Sequence, residues 1–263
     1  MLRRAFLLSL IALAGCHGPR PAHDPHTLSV AATAVPHAEI LEQVRPVLAK
    51  QGLKLDIRVF NDYVQPNSQV DQGLIDVNYF QTKPYLDDFN RAHGTHLVPI
   101  AGIHVEPLGG YSRKWKSLAA LPQGADVAIP SEASNNGRAL LLLAKAGLLK
   151  LRHPGDPLAT VRDIVANPKG LKIREIEAAT LPRILDQVDL ALINTNYALD
   201  AKLDPQRDAL LIEDKNSPYV NYLVGRPGAD ADPRVRALVA ALRSDAVRRF
   251  IVARYKGAVI PAF

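Results

Sequence analysis

Apolar positions along the chain switch between a spacing near two and a spacing near 3.6, and each change of period marks an element. Leu28 to Ala32 predicts a first strand. Pro36-His37 opens a helix whose apolar stripe runs through Ile40, Leu41, Val44, Val47 and Leu48 and stops at Gly52. Pro46, inside that stripe, is expected to kink it. Lys54 to Phe60 alternates at Leu55, Ile57 and Val59 and reads as a second strand. Asp76 to Phe80 and Leu97 to Ile103 are further strands, with a helix from about Pro84 to Ala92 between them. This order predicts an α/β protein with a largely parallel sheet.

The pattern restarts in the middle of the chain. Ala125 to Pro130 predicts a short buried strand, a polar loop follows, and Ser134 or Asn135 offers an N-cap oxygen to an Ala/Leu-rich helix. Arg138 then falls in or beside the first helical turn. A cation there opposes the helix dipole, unless an anion lies between the guanidinium and the free N–H groups. The alternative is an arginine reaching into water. Leu171 to Ile176, Leu190 to Ile193 and Ala209 to Glu213 read as strands of this second set, and Tyr219 to Val224 leads out of it. Asp232-Pro233 opens one helix and Ser244 caps another running to about Tyr255, with Gly257 beyond it. Two α/β units with a helical return predict two lobes, with any ligand between them.

Composition alters this picture mainly at the N-terminus. The chain has 263 residues, 48% hydrophobic and 22% charged, as an ordinary globular protein does. Its formal charge of +6 is spread out, with no basic run or Arg/aromatic interleaving, so nucleic-acid binding is not expected. The one cysteine is Cys16. Before it stand a basic pair, Arg3-Arg4, a short apolar run from Ala5 to Ala14, and the small residues of Leu13-Ala14-Gly15-Cys16. That run is too short to span a bilayer and has signal-peptide flanks. Leu-Ala-Gly-Cys matches the bacterial lipobox, so residues 1–15 are expected to be removed and Cys16 acylated as a membrane anchor. Residues 16–26, rich in proline and polar residues, read as a flexible tether whose histidines are solvated.

Catalytic chemistry is hard to assemble from the remainder. There is no Gly-x-Ser-x-Gly, phosphate-loop Gly-Lys-Ser/Thr or Gly-x-Gly-x-x-Gly. His93-Gly-Thr-His96 and His104-Val-Glu106 lack a second set of metal-spaced ligands and read as ordinary histidines. No enzyme activity, metal or cofactor is expected.

Beyond Cys16, several segments resemble the methionine-binding lipoproteins of bacterial ABC importers, the NlpA or MetQ family. They are Pro36-His37-Ala38-Glu39-Ile40-Leu41, Asp62-Tyr63-Val64-Gln65-Pro66-Asn67, Val77-Asn78-Tyr79-Phe80-Gln81 with Pro84-Tyr85-Leu86, and Gly137-Arg138-Ala139-Leu140. Leu192-Ile193-Asn194, the run from Glu213 to Asn221 and the end from Tyr255 to Phe263 continue the match in order. The resemblance implies a two-lobed, type II periplasmic-binding-protein-like fold with its ligand cleft between the lobes. Lobe I would comprise residues 27–110 and 224–263, and lobe II residues 111–223. It also implies a lipid-anchored monomer that captures L-methionine, D-methionine or a Met-containing dipeptide and delivers it to a permease and ATPase on separate chains. Carried over, Arg138 would hold the ligand carboxylate, and Asn194 and Asn221 its backbone groups. Tyr63, Phe80 and Tyr85 would wall the side-chain slot, where aromatic faces suit a thioether.

Two departures bear on the ligand. The family usually reads Phe-Gln-His-x-Pro-Tyr, with the histidine in the pocket, where this chain has Thr82. The loop before Arg138 carries Ser131-Glu132 where the family usually has Asn-Asp. Two alternatives stand beside methionine capture: a binder of another small anion such as a sulfonate or oxyacid, and an envelope lipoprotein with a disused pocket.

Overall fold

The computed structural model describes residues 24–214 and 217–263. The expected leader, Cys16 and most of the tether lie outside the described residues. Among those described, no helix is long and apolar enough to cross a membrane.

Two sheets organise the chain. The first has six strands in the order β13-β4-β12-β3-β1-β2, with β1 at Thr27–Ala32, β2 at Lys54–Val59, β3 at Val77–Thr82, β4 at Val98–Val105, β12 at Val220–Gly225 and β13 at Ile260–Pro261. The second has five in the order β11-β5-β10-β6-β9, with β5 at Gly109–Tyr111, β6 at Asp126–Pro130, β9 at Lys172–Ile176, β10 at Leu190–Ile193 and β11 at Ala209–Ile212. β7 (Lys150–Leu151) and β8 (Ile164–Ala166) form a separate small hairpin. Both large sheets are mixed rather than largely parallel. β1 pairs in parallel with β2 and β3, but β12 runs antiparallel between β3 and β4, and β5 antiparallel to β10 and β11. The reason is the return path: strands entered from the opposite sheet come back through the layer reversed.

That path also moves the expected lobe boundaries. β12 belongs to the first sheet and β5 to the second, so breaks at 110/111 and 223/224 would each divide a strand. The chain crosses from sheet to sheet between β4 and β5, and again between β11 and β12.

Helices α1 (Glu39–Lys50), α2 (Gln65–Asp71), α3 (Lys83–His93), α4 (Ala133–Lys145), α5 (Thr195–Asp200), α6 (Pro233–Leu242) and α7 (Asp245–Tyr255) cover the sheets. The stripe of α1 buries Ile40, Leu41, Val44 and Leu48 against the first sheet, whereas Val47 is 49% exposed. The helix runs through Pro46, and a short π-helical turn at Ala34–Ala38 precedes it. Asp232 and Ser244 cap α6 and α7 by accepting the backbone N–H of Arg234 and Val247. The first sheet packs with α1, α6 and α7, and the second with α4, each around its own apolar core. A third cluster joins the two, bringing Tyr63, Phe80 and Tyr85 from the first unit against Ile193 and Tyr197 of the second.

Candidate functional site

A narrow cavity of about 30 Å³ lies where the sheets face one another, so the structure holds the cleft closed around little free space. Its lining includes all seven residues singled out from the sequence: Tyr63, Phe80, Thr82, Tyr85, Arg138, Asn194 and Asn221. Gln81, Glu106, Asn135, Thr195 and Asn196 complete it. Arg138 and Glu106 are the lining residues that carry formal charge.

Aromatic rings form one wall. Tyr63 sits 5.7 Å from Phe80, 5.5 Å from Tyr85 and 4.9 Å from Tyr197, ring centre to ring centre. Polar tips fix these rings in place. The Tyr63 hydroxyl donates to Asn196 Oδ1 at 2.6 Å, and the Tyr85 hydroxyl to the Tyr63 carbonyl at 2.9 Å. Burial pushes all three phenols, Tyr63, Tyr85 and Tyr197, above their ordinary range, so they stay neutral donors.

Arg138 occupies another corner, and here the sequence expectation needs correcting. The N-cap of α4 is Glu132, not Ser134 or Asn135, and its side chain makes no cap bond because its Oε1 accepts the Ala178 N–H at 3.1 Å. Ser134 and Asn135 are therefore already helical, and Arg138 lies in the second turn. Its anion is a protein carboxylate rather than a vacancy for one. Arg138 Nε donates to Glu213 Oε1 at 2.7 Å, and Nη2 donates to Glu213 Oε2 at 2.5 Å and to the Glu106 carbonyl at 2.7 Å. The Tyr219 ring lies 4.1 Å from the guanidinium carbon. Burial alone would pull the guanidinium pKa down, but the charge and hydrogen bonds of Glu213 outweigh it and raise it. Nη1 has no protein partner among the described residues and remains the donor available to a ligand. Gly137 allows this placement, since a Cβ there would stand 2.2 Å from the Pro157 carbonyl oxygen.

Both carboxylate-bearing residues sit on the crossings between the sheets. Glu106 follows β4, and Glu213 follows β11. The crossings bond to each other through Leu108, whose N–H donates to Glu213 Oε2 at 2.9 Å and whose carbonyl accepts the Glu213 N–H at 3.0 Å. Arg138, from α4, thus ties both crossings to the second unit.

The amides close the polar end. Asn194 Nδ2 donates to Asn135 Oδ1 at 3.1 Å, while Asn194 Oδ1 is buried without a partner among the described residues. Asn221 stands opposite Thr82 in the β12/β3 register, and its Oδ1 lies 3.2 Å from His37 Nε2. The sequence marks His104-Val-Glu106 as ordinary and places His37 only at a helix start. In the fold they form one fully buried cluster, with His104 Nε2 at 2.7 Å and His37 Nε2 at 3.2 Å from Glu106 Oε1. One half of this was readable: His104 and Glu106, two apart, share a face of β4 and its extension. The arrival of His37, from the turn before α1, was not.

Residues 28–263 match the family described as NlpA lipoprotein. The chain belongs to that family. It is 43% identical to the D-methionine-binding lipoprotein MetQ of Escherichia coli K12 over 244 residues, covering 92% of this chain and 89% of that one. It is 42% identical to the membrane lipoprotein TpN32 of Treponema pallidum over 237 residues, covering 90% and 88%. Among solved structures, a nutrient-binding protein from Burkholderia cenocepacia bound to methionine superposes with a TM-score of 0.86 at 44% identity, over 90% of this chain and all of that one. As an NlpA lipoprotein the chain has the two-lobed type II fold, and the family is one of substrate-binding proteins rather than enzymes.

Proposed function

We propose that this NlpA-family chain is a lipid-anchored substrate-binding protein that captures methionine or a close analogue and passes it, as a monomer, to the permease of an ABC importer. In this reading Cys16 carries the lipid, and the tether to about residue 26 holds the domain at the envelope membrane. Arg138 Nη1 takes the ligand carboxylate, Asn194 and Asn221 its backbone polar groups, and Tyr63, Phe80 and Tyr85 the thioether chain. Thr82 borders that slot with a hydroxyl where the family usually has an imidazole.

One observation carries the reading. A single cavity between the sheets joins a fixed cation and two amides to an aromatic wall, which suits a zwitterion with an unbranched apolar tail. A free anion suits it less, because Glu213 already meets the charge of Arg138. A bare sulfonate would add a second anion to a neutral pair.

Calorimetry of the purified protein, stripped of retained solutes, tests this. We expect one-to-one binding of L-methionine, D-methionine or Gly-Met, with taurine silent. At a hundredfold excess over its dissociation constant the ligand should add about 2.7 kcal/mol of stability. Protein that mass spectrometry finds empty, and that binds none of the three, would sink the reading in favour of a lipoprotein with a disused pocket.

A further inference from the structure

Glu106 has a role the site description leaves open. It is a carboxyl 5% exposed, on the lining of the cavity, and its hydrogen-bond partners define its state. The Thr33 hydroxyl lies 2.7 Å from His37 Nδ1, and the Tyr79 hydroxyl bonds His104 Nδ1. The opposite ring nitrogens both face acceptors: Glu106 Oε1 for both histidines, and Asn221 Oδ1 for His37. With Glu106 ionised, one assignment satisfies every contact. Each hydroxyl donates to Nδ1, and each Nε2–H donates inward, so both imidazoles are neutral and two relays end on one carboxylate oxygen. The Asn196 N–H adds a third donor to the same carboxylate. Glu106 therefore receives donors only, and it is the carboxylate, not the carboxylic acid, that this arrangement accommodates.

No cation among the described residues hydrogen-bonds this buried carboxylate, and the nearby Arg138 guanidinium is already paired with Glu213. Asn194 Oδ1, 8% exposed at residue level and unpartnered among the described residues, is a second acceptor on the same lining. A buried negative charge beside an unpartnered acceptor suits a donor-rich cation. We propose that Glu106 recognises the ligand's ammonium group and sets the requirement for a free amine, with His37 and His104 as positioning residues that hold its carboxylate as an acceptor. This rests on the reading that an amino acid occupies the cavity, and it adds the cationic half of recognition to the anionic half at Arg138. The same three side chains bring ligand atoms within 4.8 Å of one another, as a metal site would. A metal there would need both Nε2 atoms bare, with each Nδ1–H turned to its hydroxyl, and the test below includes that rival outcome.

The test compares two probes on the full-length protein in detergent: L-methionine and 4-(methylthio)butanoate, the same molecule without its amine. Wild type should prefer methionine by about 100-fold or more, as expected for a buried charge pair. Glu106→Gln should weaken methionine by about 100-fold and leave the deaminated probe within about threefold, collapsing the preference. His104→Gln should lower the preference by about tenfold without abolishing it, whereas a residue of merely structural importance would weaken both probes alike.

Wild type that binds both probes equally overturns the proposal without any variant, so misfolding of Glu106→Gln cannot shield it. Equal weakening of both probes by a folded Glu106→Gln does the same. So does one-to-one zinc uptake that Glu106→Gln removes while the preference stays intact. Empty wild-type protein that binds neither probe fails the amino-acid reading itself, a distinct result.

Discussion

Two carboxylates stand at the cavity, Glu106 buried on its lining and Glu213 half-buried behind Arg138, and they are held in opposite ways. At the Arg138 corner, Glu213 meets a guanidinium through two hydrogen bonds, so opposite charges cancel. At the histidine corner, Glu106 hydrogen-bonds neutral donors, and Arg138, already paired with Glu213, acts on it only at longer range. The first arrangement is costly to break; the second is less costly to break and sensitive to acid. The carboxylates sit on the two crossings between the sheets, which makes each corner both part of the cavity and part of the joint between lobes. The difference separates structural charge from charge left free for a ligand.

The largest expected effect comes from breaking the cancelled pair. Arg138→Ala leaves half-buried Glu213 beside Tyr219 without its cation, which costs about 3 kcal/mol of stability. Binding loss in that variant alone would say little, because a damaged joint gives the same result. The double variant Arg138→Met/Glu213→Leu removes both charges at similar bulk and should recover most of the stability in chemical denaturation. Methionine binding should remain absent. A double variant that binds methionine normally would show that Arg138 serves the joint and not the ligand.

Acid should act chiefly on the other corner. Burial holds His37 down at about 4 and His104 at about 3, below the ordinary histidine value. The unfolded chain therefore takes up protons that the folded one refuses. The stability these rings contribute is complete above about pH 6.5 and is lost as pH falls toward their folded values. At pH 5 each imidazole accounts for about 2 kcal/mol. Burial raises the Glu106 carboxyl, while His37, Arg138 and the Asn196 N–H oppose it, and protonation there relieves a buried charge. Glu106 thus works against the histidines on acidification, so the variant is the cleaner measure. Between pH 7.5 and 5, His104→Gln should lose about 2 kcal/mol less than wild type. Identical losses would mean the imidazoles do not set the acid sensitivity of this corner.

The legible parts of this molecule are those encoded locally. Strand and helix order followed from periodicity, and the caps at Asp232 and Ser244 from short-range chemistry. Tyr63, Phe80 and Tyr85, separate in sequence, were gathered by resemblance rather than by pattern. What periodicity could not convey was pairing across distance. Glu213 lies 75 residues from Arg138, and nothing near Arg138 announces that its anion is internal. His37 reaches Asn221 across 184 residues. The lobe boundaries slipped for a similar reason: β12 reads as an apolar strand wherever it is placed, and only sheet pairing shows that it lies between β3 and β4. Val47 fits a helical stripe by spacing yet faces outward, since the buried arc of α1 is narrower than its apolar one.

Smaller effects belong to the aromatic wall, where neither corner's charge is involved. Tyr63→Phe keeps the ring against Phe80, Tyr85 and Tyr197 but removes the donor to Asn196 Oδ1. That bond joins the two units across the cleft. Its loss should weaken binding of every ligand by about fivefold, near 1 kcal/mol, without changing their order. A change in order would mean that the hydroxyl touches the ligand rather than closing the cleft.

The smallest effect, and the one that bears most directly on ligand choice, is expected at Thr82. This residue ends β3, lies opposite Asn221 and lines the cavity between the aromatic wall and the histidine corner. Thr82→His adds volume at a position on the cavity lining. The added ring shortens the slot while leaving Arg138, Asn194 and Glu106 in place. Free methionine should keep its affinity within about threefold, and Gly-Met, longer by a residue, should lose about tenfold, near 1.4 kcal/mol. Equal change for the two ligands would place the Thr82 side chain away from the slot, and the small residue there would then have no bearing on which methionine species is taken.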